Sequence, residues 1–311
     1  MNNRTTPADG ENEAGQTRSG FVALIGAPNA GKSTLVNQLV GTKVSIVTHK
    51  VQTTRALVRG IFIEGQAQIV LVDTPGIFRP KRRLDRAMVT TAWGGAKDAD
   101  IILVLLDSQG GLNENAEALL ASMKDVRQKK VLVLNKVDRV DPPVLLDLAR
   151  KANELVTFDQ TFMISALNGS GCKDLAKYLA ENVPNGPWYY PEDQISDMPM
   201  RQLAAEITRE KLYLRLHEEL PYSSTVETER WEERKDGSVR IEQVIYVERE
   251  SQKKIVLGHK GETIKAIGQS ARKEISEILE QTVHLFLFVK VRENWGNDPE
   301  RYREMGLDFP T

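Results

Sequence analysis

The chain carries a single cysteine, Cys172, in 311 residues. No intrachain disulfide can form, and such usage is what a reducing cytosol permits. Cys172 itself reads as a small filler residue in the loop after Ser165. Excess charge is also missing: 42 Lys and Arg against 43 Asp and Glu leave a formal net of −1. Bulk electrostatics therefore favours neither nucleic acid nor a membrane, and any nucleic-acid surface must be a local patch. No apolar run approaches the roughly 20 residues that span a bilayer. The polar start, Met1 to Ser19, lacks the apolar core of a secretory signal and is expected to be a disordered tail.

What the sequence does have is a series of continuous apolar runs at 21–25, 69–72, 101–106, 131–134 and 161–164, separated by helix-like segments. Continuous runs suit strands covered on both faces, so this half is expected to be α/β, a mainly parallel sheet between helices, with an extra edge strand over 57–63. Four short polar motifs follow four of these runs, at the strand ends where ligands of open α/β sheets bind.

Directly after the first run, Gly26-Ala27-Pro28-Asn29-Ala30-Gly31-Lys32-Ser33 fits G-x-x-x-x-G-K-[ST]. Its glycines let backbone N–H groups close around phosphate oxygens, Lys32 reaches the terminal phosphates, and the Ser33 hydroxyl can ligate Mg²⁺. Thr34 continues the phosphate-binding set. Asp73-Thr74-Pro75-Gly76 follows the second run; Asp73 is placed to hold Mg²⁺ through its water shell, and Gly76 to donate its N–H to a γ-phosphate. Asn135-Lys136-Val137-Asp138 follows the fourth run. An ionised Asp138 accepts two convergent hydrogen bonds, which guanine offers and adenine does not, so the nucleotide is expected to be GTP or GDP. Ser165-Ala166-Leu167 is expected to close its backbone over the guanine O6. The polar segment 43–59, with Gln52-Thr53-Thr54-Arg55, is the first switch loop. Thr54 is chosen over Thr53 as its Mg²⁺ ligand, completing a metal set of Ser33, Thr54 and Asp73. The second switch is expected over 77–97, with Arg79, Lys81, Arg82 and Arg83.

Prolines and aromatics interrupt the pattern from Pro184 to Pro191, which marks a linker. The expected division is tail 1–19, nucleotide domain 20–184, linker 185–199, second domain 200–295 and C-terminal tail 296–311. The second domain reads helix, strand, strand, helix, helix, strand. Leu203, Ile207 and Leu214 mark the first helix face, and Asp236-Gly237 marks a hairpin turn. A short helix from Ser251 runs into Gly258-His259-Lys260-Gly261, then a stripe at Ile264, Ile267, Ala271, Ile275 and Ile278. A Gly-x-x-Gly loop between two helices is the nucleic-acid clamp of a KH fold, gripping about four nucleotides of single strand. Its neighbourhood concentrates Lys253, Lys254, Lys260, Lys265, Arg272 and Lys273 against Glu262. The RNA-binding set is therefore Lys253, Lys254, Gly258, His259, Lys260, Gly261 and Lys265.

With these motifs in one chain, the sequence resembles the Era family of bacterial ribosome-assembly GTPases over nearly everything from Gly20 to Leu307. The resemblance implies a P-loop GTPase domain followed by a type II KH domain. It also implies a GTP-dependent factor of the small (30S) ribosomal subunit that grips the single-stranded 3′ end of 16S rRNA, and peripheral association with the inner membrane. A cytoplasmic monomer is expected. Where a Ras-like enzyme has a water-orienting glutamine, this chain has Ile77, so intrinsic hydrolysis is expected to be slow. Asn29 resembles the asparagine of K⁺-dependent relatives, which suggests a K⁺ beside the phosphates. The catalytic set is then Asn29, Lys32, Thr54 and Gly76. Two rivals keep fewer of these features: a regulatory GTPase whose second domain binds a protein, and a small-molecule phosphotransferase, which has no use for guanine-specific closure.

Overall fold

The computed structural model describes residues 17–80, 82–217, 220–293, 295 and 298–310. In the first half, β1 (Arg18–Gly26), β3 (Ala67–Asp73), β4 (Ile101–Asp107), β5 (Lys129–Asn135) and β6 (Gln160–Met163) run parallel, and β2 (Val58–Glu64) is an antiparallel edge strand. The sheet order is β2-β3-β1-β4-β5-β6. Alternate side chains bury against opposite helical layers, as the pleat requires. Val22, Leu24, Leu103 and Val133 pack against α1 (Lys32–Val40) and α5 (Cys172–Asn182). Ala23, Ile25, Val104 and Leu134 pack against α2 (Arg83–Lys97), α3 (Glu114–Ser122) and α4 (Pro142–Leu155). Most of these strand side chains are fully buried, each contributing about 1.5–3 kcal/mol on transfer from water.

Parallel register has a functional consequence. Leu24 pairs with Asp73, Gly26 with Leu105 and Asp107 with Asn135, so the strands end together and their motifs meet at one rim.

In the second half, α6 (Met200–Arg215) is followed by β7 (Ser224–Glu233), β8 (Val239–Val247), α7 (Glu250–Leu257), α8 (Glu262–Leu279) and β9 (Val283–Val291). β7 and β8 form an antiparallel hairpin, with Gly237 at positive φ in its turn, while β8 and β9 run parallel. Ile267, Ala271 and Ile275 of the expected α8 stripe are buried against this sheet, with Ile207, Ile241 and Val283. On α6, Leu203 and Ile207 are buried as expected, but Leu214 is 43% exposed and Leu212 and Tyr213 are buried instead. The helix is covered on two sides, by its own sheet and by the first domain, which a single apolar stripe does not show.

The linker is clamped to the first domain. Gln68 accepts the Tyr189 and Tyr190 N–H groups and donates to the Tyr190 carbonyl, Ile61 N–H donates to the Ile195 carbonyl, and Tyr189 lies against Phe21 with ring centres 4.9 Å apart.

Both expected tails need correction. Residues 1–16 lie outside the described residues, but Arg18 and Ser19 belong to β1: Arg18 pairs with Ala67 and bridges to Asn185, and the Ser19 hydroxyl donates to the Pro187 carbonyl at 2.6 Å. Backbone pairing extends the strand into a polar stretch that hydropathy cannot flag. At the other end, α9 (Pro299–Glu304) and the residues after it return to the first domain, where Tyr302 and Leu307 bury with Ala87 and Met88 of α2. Arg83 lies over the Phe309 ring at 5.0 Å, while Lys81 of the expected second switch lies outside the described residues. Two or three apolar residues scattered in a polar segment give no periodic signal.

Tyr302→Ala is expected to weaken this docking by about 3 kcal/mol. Amide hydrogen exchange should then accelerate across 298–310 and the first turns of α2, with β4 and β5 unchanged.

Candidate functional site

The loop between β1 and α1 wraps the rim. Asn29 and Gly31 both have positive φ. A Cβ on Gly31 would sit 2.2 Å from Asn135 Nδ2, so only glycine fits both the conformation and the space. Lys32 turns back over the loop and donates to the Gly26 and Ala27 carbonyls at 3.1 and 3.2 Å. Gly76 lies so close to Pro28 that a Cβ would meet the Pro28 nitrogen at 2.8 Å.

Beneath this loop lies a buried carboxylate. Asp73 Oδ2 accepts from the Ser33 hydroxyl at 2.6 Å and the Ser45 hydroxyl at 2.7 Å, with Thr54 Oγ1 at 3.5 Å. Ser33 Oγ and Thr54 Oγ1 are themselves 2.9 Å apart. The other oxygen, Asp73 Oδ1, is buried with no hydrogen-bond partner among the described residues. Hydroxyls and an orphaned carboxylate oxygen form a hard, oxygen-only donor set, and such a set suits Mg²⁺. Thr53 bonds to Thr48 Oγ1 at 2.7 Å and the Lys50 carbonyl at 2.8 Å, though both threonines line the cleft. Burial pushes the Asp73 carboxyl up, opposed by Lys32 and the three hydroxyls.

Ser45 was not singled out by the sequence. Asn37 of α1 holds it: its Oδ1 accepts the Val44 and Ser45 N–H groups, both at 2.9 Å, and its Nδ2 donates to the Ser45 carbonyl at 2.7 Å. A serine in a polar loop and an asparagine in a helix carry no motif, so no local signal could have found this pair.

At the other end of the cleft, Asn135 is an organiser. Its Nδ2 donates to the Ala30 carbonyl at 2.8 Å, and its Oδ1 accepts the Lys136 and Ala166 N–H groups at 2.8 and 3.0 Å. One Nδ2 hydrogen is left over for a base. The Ala166 N–H donates to Asn135 and Ser165 is fully buried, while Leu167 of the same trio stands at the surface, 70% exposed. Lys136 has a left-handed backbone and donates to Asp107 Oδ2 at 2.6 Å. Asp138 lies beside Ser165, whose hydroxyl holds its carboxyl below the usual carboxylate range. Asn29 Nδ2 donates to the His49 carbonyl at 2.9 Å, which ties the phosphate loop to the first switch. A cleft of about 520 Å³ opens between the phosphate loop and the first switch, lined by Asn29, Lys32, Ser33, Thr54, Gly76 and Lys136, with Thr34, Thr48, Asp107 and Arg139 along its walls.

In the second domain, α7 ends at Gly258, where φ is 73° and a Cβ would lie 2.2 Å from Thr263 Oγ1. Lys254, His259, Lys260 and Lys265 are exposed around the loop, beside Ile255 at 57% exposure. Lys253 differs, being half-buried 3.9 Å from Glu250. Among the described residues no group of three or more His, Cys, Asp or Glu is placed to hold a metal ion. No helix there is long and apolar enough to cross a membrane. Cys172 begins α5 instead of lying in a loop, and burial pushes its thiol up to about 11.

A phosphate loop, an oxygen-lined metal pocket and a guanine-selecting acid on one parallel-sheet rim, followed by a KH module, define a GTP-hydrolysing enzyme with an appended nucleic-acid-type domain. Two family models match, "50S ribosome-binding GTPase" over residues 21–136 and "KH domain" over 219–296. GTPase Era from Brucella suis is 94% identical over 100% of both chains, and that from Agrobacterium fabrum is 73% identical over 100% of this chain and 98% of its own. Aquifex aeolicus Era bound to GDP and AlF4⁻ superposes with a TM-score of 0.89 at 38% identity, covering 93% of this chain and 99% of its own. An Era in complex with MgGDPNP and nucleotides 1506–1542 of 16S ribosomal RNA gives 0.88 over the same coverage. The chain belongs to the GTPase Era family.

Burial pushes the Lys32 ammonium down to about 8, with Asp73 opposing. A folded-state value below the ordinary 10.5 means that the buried cation is a cost in full below pH 8, relieved as pH rises towards 10.5. Pairing with a triphosphate reverses the shift. Above about pH 8, GTP binding is therefore expected to take up part of a proton. Calorimetry in two buffers of different ionisation enthalpy measures it, and the uptake should fade near about pH 7.

Proposed function

We propose that this GTPase acts as a small-subunit assembly factor, gripping the single-stranded 3′ end of 16S rRNA through the Gly258–Gly261 loop. The observation that carries this is the loop itself: a crowded, positive-φ Gly258 between two helices, with Lys254, His259, Lys260 and Lys265 exposed around it. Glycine lets a sugar-phosphate backbone approach, and the start of α8 offers N–H donors to phosphate. The relative in complex with a 16S rRNA segment supports the choice of RNA.

At the other site, Gly26 to Thr34 cradle the phosphates, and Lys32 swings from the loop carbonyls to the terminal oxygens. Ser33, Asp73 and Thr54 would hold Mg²⁺, with Ser45 keeping the Asp73 carboxylate aimed. When bound, the metal neutralises charge on the β- and γ-phosphates. Asp138, Lys136 and the remaining Asn135 hydrogen select guanine. Ile77 offers no base and cannot orient water, so hydrolysis by these residues alone is slow. Asn29, already tied to the His49 carbonyl, places an amide and a switch backbone oxygen together, which favours a K⁺ beside the phosphates.

The decisive test is GTP turnover with short RNA oligomers of varied sequence. A 16S 3′-end oligomer should accelerate turnover, and an unrelated one should not. Gly261→Asp is expected to weaken RNA binding at least about tenfold through charge repulsion, with GTP affinity unchanged. No atom of another residue lies within 4 Å of a Cβ at Gly261, but φ there is +80°, so backbone strain in the loop adds to the repulsion. GTPase rates should be higher in KCl than in NaCl at matched ionic strength; equal rates would remove the K⁺ site.

A further inference from the structure

Glu206, Arg209, Glu210 and Tyr213 of α6 fall at i, i+3, i+4 and i+7 and share one helix face. That face is fitted to the first switch loop. Glu210 accepts the Val47 N–H at 2.9 Å and the Lys43 ammonium at 2.7 Å. The Tyr213 hydroxyl accepts from Arg55 at 2.8 Å. Between them, Arg209 Nη2 donates to the Thr53 carbonyl at 2.6 Å, across 156 positions of sequence.

Arg209 is 1% exposed, and its guanidinium is fixed independently of the switch. Nε donates to Glu206 Oε1 at 2.8 Å, Nη2 pairs with Glu206 Oε2, and the group lies over the Tyr213 ring at 5.1 Å. The carbonyl it holds belongs to the peptide unit that continues into the Thr54 nitrogen. Because that unit is planar, fixing the Thr53 oxygen fixes the plane from which the Thr54 side chain springs. The Thr54 hydroxyl then stands 2.9 Å from Ser33 Oγ.

We propose that Arg209, a residue of the second domain, is a positioning residue for GTP hydrolysis: by gripping the Thr53 carbonyl it presents the Thr54 hydroxyl to the Ser33–Asp73 metal pocket. The GTPase centre is thus completed by the domain that grips RNA, and movement of α6 changes the hydrolytic site directly. This rests on the reading that Thr54 belongs to the metal shell.

A double-mutant cycle in the full chain tests it, with single-turnover GTP hydrolysis followed as a function of Mg²⁺. Arg209→Gln should slow hydrolysis roughly 10- to 100-fold, the scale of a misplaced reacting group, and raise the Mg²⁺ needed for half-maximal rate, with GTP affinity less affected. Thr54→Ala should be slow by itself, and adding Arg209→Gln to it should change nothing further, because the two act as one unit. A wild-type rate for Arg209→Gln, or the same slowing factor in the Thr54→Ala background, overturns the proposal; the latter is what a merely structural role gives. A wild-type rate for Thr54→Ala removes the metal-shell reading, and a slow Arg209→Gln beside it shows that Arg209 acts elsewhere, which overturns the proposal too. Should Arg209→Gln lose its cooperative melting transition, Arg209→Lys carries the same comparison. It keeps the buried charge, but one ammonium cannot hold Glu206 and reach Thr53 together.

Discussion

Asp73 is a carboxylate with no exposed surface, placed at the end of β3, beside the edge strand, where three hydroxyls converge on one of its oxygens. Burying an ionised group without partners costs several kcal/mol, so each hydroxyl is held where it is needed. Ser33 comes from the phosphate loop, Thr54 and Ser45 from the two ends of the first switch. One buried charge therefore sets the relative placement of three segments distant in sequence. The second oxygen has no hydrogen-bond partner among the described residues. Nucleotide chemistry is possible because strand, loop and switch share this single acceptor.

The switch is gathered from the other side as well. Arg55 is buried between the domains, donating to the Ser224 carbonyl and the Tyr213 hydroxyl and lying over the rings of Tyr213 and Trp295. Burial pushes its guanidinium down, since carbonyls and aromatic faces replace water only in part. Lys43, Glu210, Lys211 and Glu274 form an ion-paired cluster at the opposite end of the loop. A cavity of about 350 Å³ lined by both domains lies alongside. The linker, bonded along the edge of the first sheet, fixes where the second domain starts; the switch contacts and the docked segment after residue 298 fix how it lies.

Much of this was legible in the residues. Continuous apolar runs marked the parallel strands because both sheet faces are covered, and stripes at three- and four-residue spacing marked α8. What failed to show has a common character. Arg18 and Ser19 join a strand through backbone bonds, Leu214 is exposed while its neighbours Leu212 and Tyr213 bury on the covered sides of α6, and Tyr302 and Leu307 bury without periodicity.

The sequence by itself determined the chemistry: strand-end motifs in order, a carboxylate that discriminates guanine, and a glycine loop set among lysines. These are local, because each motif needs its residue types at short, fixed spacing. Only the tertiary structure decided how the two chemistries meet. Ser45 on Asp73, Arg209 on Thr53 and Arg55 under Trp295 are contacts between segments that no spacing rule connects. They exist because a parallel sheet gathers its loops at one rim and α6 is laid across them.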